Sequence, residues 1–548
     1  MTTISDVTHA ECEPTRYWTS ANIGEATPDV LSPMCWSFWG PQAEGAARRS
    51  YHAFGILSKR ELAVPTDVNE LMTGYFYGRP ALNVDLLRPF FGSLPGVTAD
   101  DFERDMCGKV RPGLPPASRK ARLPIIVVRG VLAMRSTPKR QQALVPRQRA
   151  WWEHEVRDRT EPGDPRARMA DAAERFRDAF EIHCCGRFVL MSAQATLAKL
   201  AIGLGRPELL LGLLAGLGGV TEVQLADDLW QVSRGRLTLR QFVDRHGFHG
   251  PNEGNLATRS WREDPGPVDR LVDSLAARPD DQRPAIREAV AGATRRAAVE
   301  AFVAALPDKK QGRARKACDA LVRSTQANEL SKAAFLMAID GGRAAARDQG
   351  RRLVAQGVLD DVDDVFFFTM DELSTMPADA REVVAVRRQR REHYRTLALP
   401  VTFTGTPAPL RRGDTGDGNT DDGDTDDGDK NHGAGDTVRG AAGSQGTVEG
   451  VARVVLDPND ATPLEPGEVL VCRFTDPSWT PLFLLADALV IDIGGPASHG
   501  AIVARELGVP CVIGTGDGTH RIRSGDRVSV DGSTGVVTIL ERAAGLAS

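Results

Sequence analysis

The sequence lacks the features that mark zinc proteins, secreted proteins and membrane proteins. None of its eight cysteines stands in a C-x-x-C pair, which excludes the common zinc and thioredoxin-like patterns. The N-terminus has neither the basic start nor the apolar core of a signal peptide. The most apolar stretch, residues 200–220, is interrupted by charged and proline residues and predicts a buried helix. We therefore expect reduced thiols, a cytoplasmic location and no membrane span.

Charge is nearly balanced except in one segment. The net charge of −5 favours neither nucleic acid nor a membrane surface as a partner. Between Asp414 and Asp436, however, there are nine Asp and one Lys among Gly and Thr. Such a segment has too few apolar residues to form a core, so residues 404–444 are predicted to be a disordered, flexible acidic linker. A calcium loop is the alternative, but Asp422 stands where the loop needs glycine.

The linker divides the chain into two parts of different character. Residues 1–403 contain two long stretches of helical periodicity. Residues 445–548 contain six short runs rich in β-branched residues, separated by Gly, Pro and Asp, with one helix among them. The predicted fold class is α+β multidomain, with a mainly helical domain, a flexible acidic linker and a small α/β domain.

The stretch GGPASHGAIVARELGVP places a histidine at the start of the helix in the small domain. Ser498 is a favourable N-cap residue and Gly508 a favourable end. Gly494 and Gly495 allow a tight turn and leave room for a bulky group. His499 then lies where helix N–H groups stabilise an anion, and a neutral imidazole there is suited to accept a phosphoryl group. A capping or core histidine is the alternative that the residues alone leave open.

This stretch resembles the phosphohistidine motif of the phosphoenolpyruvate (PEP)-utilising enzymes. The positions that match the motif are Gly494, Gly495, Ser498, His499, Ala504, Arg505, Glu506, Gly508 and Pro510. Residues 475–483 also look like the family's upstream segment. The resemblance implies that residues 445–548 form a swivelling domain on which His499 becomes phosphorylated. It also implies a phosphoryl-binding role for Gly494, Gly495, Ser498 and Arg505.

The helical part resembles the substrate domain of the rifampicin phosphotransferases within that family. The segments that carry this resemblance are residues 22–37, 247–265 and 350–373. Glu253 matches the family's Gly-His-Arg-Gly-x-x-Glu pattern, whereas Phe248 and His249 replace its His-Arg pair. The resemblance implies that residues 1–403 bind the acceptor. His249 is then a candidate for acceptor binding and Glu253 for the base, with turn packing and helix capping as the alternatives.

A further segment of these relatives contains an Arg and, four residues later, a Lys that face the phosphoryl group. The nearest match is Asn328 and Lys332, whose spacing puts both on one helix face. The resemblance implies that Lys332 stabilises phosphate charge and that Asn328 lies in the binding site. A solvated helix face is the alternative for Lys332. The aromatic residues from Trp36 to Phe91 predict either core or a pocket for a large apolar acceptor.

The sequence contains neither the ATP-grasp domain nor the pyruvate barrel of those enzymes, and no Gly-rich loop followed by Lys. We therefore expect ATP and Mg²⁺ to bind a separate ATP-grasp protein, and no metal site, nucleic-acid partner or membrane partner for this chain. The resemblance implies a split dikinase-type phosphotransferase, in which His499 carries a phosphoryl group to a hydroxyl of an antibiotic or biosynthetic intermediate. A phosphocarrier or regulatory subunit, and a catalytically silent metabolite-binding protein, are the alternatives.

Overall fold

A computed structural model describes residues 4–543 except 22, 24–26, 28, 95–96, 108, 162, 207–208, 220, 412–435, 457–463, 466, 476–478 and 496–497, and except the side chains at 105, 211, 411 and 499. The α-helices are α1 (Pro33–Ala53), α2 (Val84–Phe91), α3 (Ala99–Cys107), α4 (Leu123–Trp152), α5 (Pro165–Gly203), α6 (Leu209–Leu214), α7 (Thr221–Ser233), α8 (Leu239–His246), α9 (Gly266–Ala276), α10 (Pro284–Ala305), α11 (Asp308–Ala355), α12 (Ala380–Arg395), α13 (Thr480–Phe483), α14 (His499–Leu507) and α15 (Gly518–Arg521). The strands are β1 (Tyr17–Thr19), β2 (Thr73–Phe76), β3 (Arg79–Asn83), β4 (Leu397–Ala398), β5 (Thr402–Thr404), β6 (Leu410–Arg411), β7 (Thr437–Arg439), β8 (Ala441–Ser444), β9 (Thr447–Val455), β10 (Glu468–Cys472), β11 (Ala488–Ile491), β12 (Cys511–Ile513), β13 (Arg527–Asp531) and β14 (Val536–Glu541).

Two long helices, α5 and α11, form the centre of the helical domain and coincide with the two predicted helical stretches. Helix α5 begins at an Asp164 N-cap, whose side chain accepts a hydrogen bond from the Arg166 backbone N–H. In α11, Gly341 and Gly342 permit close packing, because a Cβ at these positions would lie 2.4 Å from Trp151 and 2.7 Å from Phe38. The core around them is aromatic and aliphatic, which stabilises the helices more than their intrinsic propensity does.

A small sheet closes the N-terminal part of the helical domain, in the order β2-β3-β1-β5. Its last strand, β5, comes from the far end of the domain and pairs antiparallel with β1. This pairing corrects the predicted linker boundary, because Thr404 is still within a strand. Strands β7 and β8 likewise belong to the small domain, so the predicted linker is too long at both ends. The rest of the acidic segment, with the calcium-loop alternative, lies outside the described residues.

The small domain is built on a mixed sheet with the order β7-β14-β13-β9-β10-β11-β12-β8. Strands β9 to β12 are parallel and the outer strands are antiparallel. All six predicted strand segments are present as strands β9 to β14. Helix α14 connects β11 to the parallel neighbour β12, so it begins at the carboxyl end of β11. In such sheets this edge is where ligands bind.

The small domain packs against the helical domain through a shared apolar cluster. Trp230 on α7 belongs to the same buried cluster as Trp479 and Leu507 of the small domain. At the edge of this contact, the Arg278 guanidinium lies 3.1 Å from the Asp487 carboxylate. The small domain is therefore held beside α7, α9 and α10 in this conformation.

Two expectations about apolar segments need correction or refinement. Residues 200–220 do not form one buried helix, since α5 ends at Gly203 and the short α6 follows. Across the described ranges, no helix combines the length and the apolar character that a bilayer span requires. The N-terminal aromatic residues are core: Trp36 stacks on buried Tyr75 with ring centroids 4.3 Å apart, and Phe76 is fully buried.

Candidate functional site

The backbone around His499 forms the predicted strand, turn and helix. Ser498 is the N-cap of α14, with extended φ/ψ of −74° and 163°. Its hydroxyl makes no capping hydrogen bond, and Oγ is buried with no hydrogen-bond partner among the described residues. The helix ends at Gly508, whose φ of 63° is left-handed. His499 is therefore the first helical residue, as the sequence predicts.

The three glycines around this turn differ in what would oppose a side chain at their positions. Gly494 has a φ of +139°, and a Cβ there would lie 2.7 Å from Ile513. Gly500 is needed for close packing, because a Cβ would lie 2.6 Å from Thr475 Oγ1. Gly495 differs from both, since none of the described atoms lies within 4 Å of its Cβ position. Among the described residues, this leaves the room beside the helix start that the sequence predicts.

The charged residues of α14 are committed to packing. Arg505 is buried and donates a hydrogen bond from Nη1 to the Gly443 carbonyl at 2.9 Å. Burial lowers the pKa of Arg505 to about 10. This contact fixes α14 against β8, so the phosphoryl-binding role predicted for Arg505 stays a prediction without a geometric counterpart.

Glu506 joins α14 to the helical domain. Its Oε1 accepts a hydrogen bond from the Leu217 backbone N–H at 2.9 Å, and its Oε2 accepts one from Gly218 at 3.0 Å. Glu506 is fully buried, and this burial raises the pKa of its carboxyl. The residues that bind Glu506 lead directly into α7. Helix α14 is thus anchored to the loop that begins the next part of the site.

A buried cluster of charges surrounds Lys332 on α11. Lys332 Nζ lies 3.0 Å from Oε1 of Glu222, in the first turn of α7, and 3.9 Å from Oε2 of Glu329. The side chains of Lys332 and Glu222 are 20% and 3% exposed. This burial contradicts the alternative of a solvated helix face for Lys332. The ammonium group is instead held between two carboxylates inside the domain.

The electrostatics of the cluster keep the ammonium charged. Burial alone would lower the pKa of Lys332, but the Glu222 and Glu329 carboxylates raise it above its ordinary value. Burial and the charge of Glu222 raise the pKa of Glu329. Burial lowers the pKa of His183 to about 3, helped by the positive charges of Arg187 and Lys332. The site therefore combines a permanent cation with a neutral imidazole.

Asn328 lies one helical turn before Lys332, as its spacing predicts. It is buried, and its Oδ1 has no hydrogen-bond partner within the described ranges. Its backbone carbonyl accepts a hydrogen bond from Ser331 Oγ at 2.8 Å and lies 3.3 Å from Nδ1 of His183. An unsatisfied buried amide oxygen is costly unless a ligand or water supplies a donor. Asn328 is therefore suited to contact a bound group.

The loop after α8 supplies a second polar pair. His249 Nδ1 lies 2.5 Å from Oε1 of Glu253, and both residues are buried. The other carboxylate oxygen of Glu253 is buried and has no hydrogen-bond partner in the part of the chain that the structure describes. Asn252, just before it, adopts a left-handed φ of 49°. Glu253 thus pairs with His249 through Oε1, while His249 also packs on Phe248 and Trp261, as its turn-packing alternative predicts.

The loop after α8 that carries His249 and Glu253, called the histidine loop below, lies near the Lys332 cluster and the small domain. The charge of Glu253 is close enough to contribute to the raised pKa of Lys332. Trp261, which packs on His249 with ring centroids 5.9 Å apart, belongs to the apolar cluster that Trp479 of the small domain shares. The structure thus places the His249–Glu253 pair near Lys332 and Asn328, and the roles expected for these residues stay predictions. It adds four residues that the sequence analysis missed: His183, Arg187, Glu222 and Glu329.

Some of the missed residues had a weak sequence signal. Glu329 stands three residues before Lys332, and His183 and Arg187 stand four apart on α5, so each pair shares a helix face. No sequence signal marked Glu222, because its contact with Lys332 depends on how α7 packs on α11. We also find no group of three or more His, Cys, Asp or Glu side chains able to hold a metal within the described ranges.

Comparison with known proteins finds a matching family model in each of the two domains. The family model described as "PEP-utilising enzyme, mobile domain" matches residues 464–535, which include His499. The model described as "Rifampicin phosphotransferase fourth domain" matches residues 235–329, which include the histidine loop and Asn328.

Similar proteins come from several bacteria. A rifampicin phosphotransferase of Streptomyces sviceus is 32% identical over 340 residues, covering 59% of this chain and 37% of that protein. An uncharacterized protein of Mycobacterium tuberculosis is 33% identical over 300 residues, covering 54% of this chain and 30% of its own length. Chondramide synthase of Chondromyces crocatus is 35% identical over 202 residues, covering 35% of this chain and 5% of that protein. The matched part of this chain thus spans about a third of the length of the first two relatives. The chain carries the mobile domain of the PEP-utilising enzymes and is rifampicin phosphotransferase-like.

Proposed function

We propose that the chain is the acceptor-binding and phosphohistidine half of a phosphotransferase. His499 receives a phosphoryl group and delivers it to a hydroxyl of a large small-molecule acceptor, such as an antibiotic or a biosynthetic intermediate. The acceptor binds in the helical domain beside Lys332, Asn328 and Glu253. The observation that carries this proposal is the Glu506 anchor, which fastens the helix of His499 to the loop leading into the Lys332 cluster.

The transfer step uses the groups in this cluster. The acceptor oxygen attacks the phosphorus of phospho-His499, the new O–P bond forms and the N–P bond breaks. Charge on the transferring phosphoryl oxygens is stabilised by the Lys332 ammonium and by the N-terminus of α14. The hydroxyl proton moves to the free carboxylate oxygen of Glu253, which His249 holds in position. That proton then passes to the released imidazole, so the carboxylate is regenerated.

The nucleotide belongs to another protein in this proposal. We assign Mg²⁺ and ATP to a separate protein with an ATP-grasp domain, because the family models that match this chain are those of the mobile domain and of the rifampicin phosphotransferase fourth domain. That protein is the source of the phosphoryl group on His499. The acidic segment between β6 and β7 is the tether that lets the small domain reach both proteins.

The test is a labelling experiment with purified chain and a candidate ATP-grasp protein. The two are incubated with Mg²⁺ and ATP labelled at the β-phosphate, and acid-labile label on the chain is measured. His499→Ala is compared with His520→Ala, which removes an exposed histidine from the same domain. We expect label that requires the second protein, persists in His520→Ala and disappears in His499→Ala.

Other outcomes separate the alternatives. Label without the second protein would contradict the split arrangement. No label with a partner that binds ATP would favour the silent metabolite-binding protein. A further outcome is a labelled chain from which no hydroxylated acceptor, in a screen that includes rifamycins, removes the label. That result would favour the phosphocarrier or regulatory subunit.

A further inference from the structure

A polar cleft lies in the helical domain away from the Lys332 cluster. Its volume is about 410 Å³, and it is lined by the start of α5, the C-terminal part of α11 and the loops before α5 and after α8. This volume is within the range of sites for small molecules, but polar rather than apolar surface dominates the lining. Five of its lining residues are arginines and three are acidic. The cleft therefore has the charge of an anion site.

Three of the arginines share one carboxylate. Arg168 and Arg351 are both ion-paired with Asp348, and Arg159 Nη1 lies 3.5 Å from Oδ2 of the same residue. The guanidinium groups of Arg168 and Arg351 hold the pKa of Asp348 below its ordinary value, against the effect of burial, so this carboxylate stays ionised. Three guanidinium groups therefore share a single carboxylate at this point of the cleft.

The cleft lining has two further acidic residues, Glu161 and Glu263. The carboxylate of Glu263 lies 2.8 Å from Nη1 of Arg347, outside the cleft lining, and 3.7 Å from Arg262. Arg262 in turn is held at 2.9 Å by buried Asp340. Counted over the whole lining, five arginines face three carboxylates, so the lining carries more positive than negative groups. Arg159 and Arg168 are mostly buried, with side chains 13% and 17% exposed, which strengthens their field in the cleft.

We propose that this cleft binds a small molecule carrying a phosphate group. A phosphate monoester has a charge of about −1.5 to −2 at neutral pH, which suits a cleft whose lining has five arginines and three acidic residues. Guanidinium groups bind phosphate oxygens in a bidentate manner, and this makes arginine clusters selective for phosphate. Asp348 is sixteen residues beyond Lys332 on α11, roughly 24 Å along the helix at about 1.5 Å per residue. The site is thus separate from the proposed transfer site.

The test is calorimetric titration of the full chain with inorganic phosphate, glycerol 3-phosphate and acetate. Arg351→Gln and Arg159→Gln are compared with Arg315→Gln, an arginine on α11 that is 51% exposed and paired with Glu300 outside the cleft. Because Arg351 is 60% exposed, its replacement leaves the folded domain intact. We expect saturable binding of at least one phosphate ligand, at least tenfold weaker in both cleft variants and unchanged in Arg315→Gln. Tighter binding of glycerol 3-phosphate than of phosphate identifies an organic ester as the ligand class, and the reverse identifies the free ion.

Three results would overturn the proposal. They are absence of phosphate binding at millimolar concentration, acetate binding as tight as phosphate, and equal affinity in the cleft variants and Arg315→Gln. Equal affinity is also the result expected if phosphate bound elsewhere on the chain, for example near His499, and not in the cleft. The readout does not depend on phosphoryl transfer, so it stands or fails independently of the proposed function.

Discussion

Replacing Lys332 by methionine removes a cation that lies 3.0 Å from Glu222 and 3.9 Å from Glu329. Methionine has similar length and no charge, so it leaves the buried Glu222 carboxylate beside the Glu329 carboxyl without the ammonium group. Removing one partner of a buried ion pair costs about 3–5 kcal/mol, because the remaining charge is not compensated. We expect a loss of this size in the free energy of unfolding at pH 8.

The pH dependence gives this prediction a definite sign. Burial and Glu222 raise the pKa of Glu329 to about 8 in the intact chain, and loss of the ammonium group raises it further. Folding therefore favours the protonated carboxyl, whose stabilising contribution is complete below the ordinary pKa of 4.5 and is lost as pH rises through about 8. The cost of Lys332→Met should accordingly be smaller at pH 5 than at pH 8.

The assay is urea unfolding followed by circular dichroism at both pH values. Lys316→Met, an exposed lysine on the same helix, is the matched control. A second variant, Lys332→Met with Glu222→Gln, should recover at least half of the lost stability while phosphoryl transfer stays absent. If Lys332→Met and Lys316→Met behaved alike at pH 8, or if the cost were larger at pH 5, the electrostatic account of this cluster would be refuted.

Three further substitutions test other parts of the account. Gly494→Ala should lower the free energy of unfolding by about 2 kcal/mol, because a φ of +139° disfavours a side chain and Ile513 blocks the Cβ position. Gly495→Ala should leave the thermal unfolding nearly unchanged, and equal effects of the two substitutions would contradict this reasoning. In Glu506→Gln the amide NH₂ group faces a backbone N–H donor, so one accepted hydrogen bond is lost and the contact of the small domain with the helical domain should weaken by about 1–3 kcal/mol. X-ray scattering should then show a larger radius of gyration, and an unchanged radius would count against the anchor. Glu253→Gln should slow transfer to the acceptor about 100-fold or more while phosphorylation of His499 continues; a fall in both rates together would argue against a base.

Local patterns predicted the small domain well. The predicted ends of α14, an N-cap at Ser498 and a left-handed Gly508, are both present in the structure. They were predictable because capping depends on residues that are adjacent in sequence. The strands were equally visible from β-branched runs between turn residues. The side chain of Arg505 was harder to interpret, since its burial against Gly443 depends on the packing of β8 on α14.

The proposed acceptor site was only partly predictable from the sequence. The resemblance to the rifampicin phosphotransferases pointed to Asn328 and Lys332, and their spacing of four residues placed both on one helix face. The contact of Lys332 with Glu222 joins residues 110 positions apart, and the contact of Glu506 with Leu217 joins residues 289 apart. Such pairs have no periodic signature. The pairing of β5 with β1 could not be predicted from the sequence for the same reason. The predicted linker boundary at Thr404 was therefore wrong.

The central claim is that His499 is the phosphoryl carrier of this chain. The most direct measurement is mass spectrometry of peptides kept at alkaline pH, after the chain has been incubated with Mg²⁺, ATP and its ATP-grasp partner. The account predicts one phosphorylated peptide, with the group on His499, and loss of that group when the hydroxylated acceptor is added. A phosphoryl group found on another residue, or no modification with an active partner, would contradict the account.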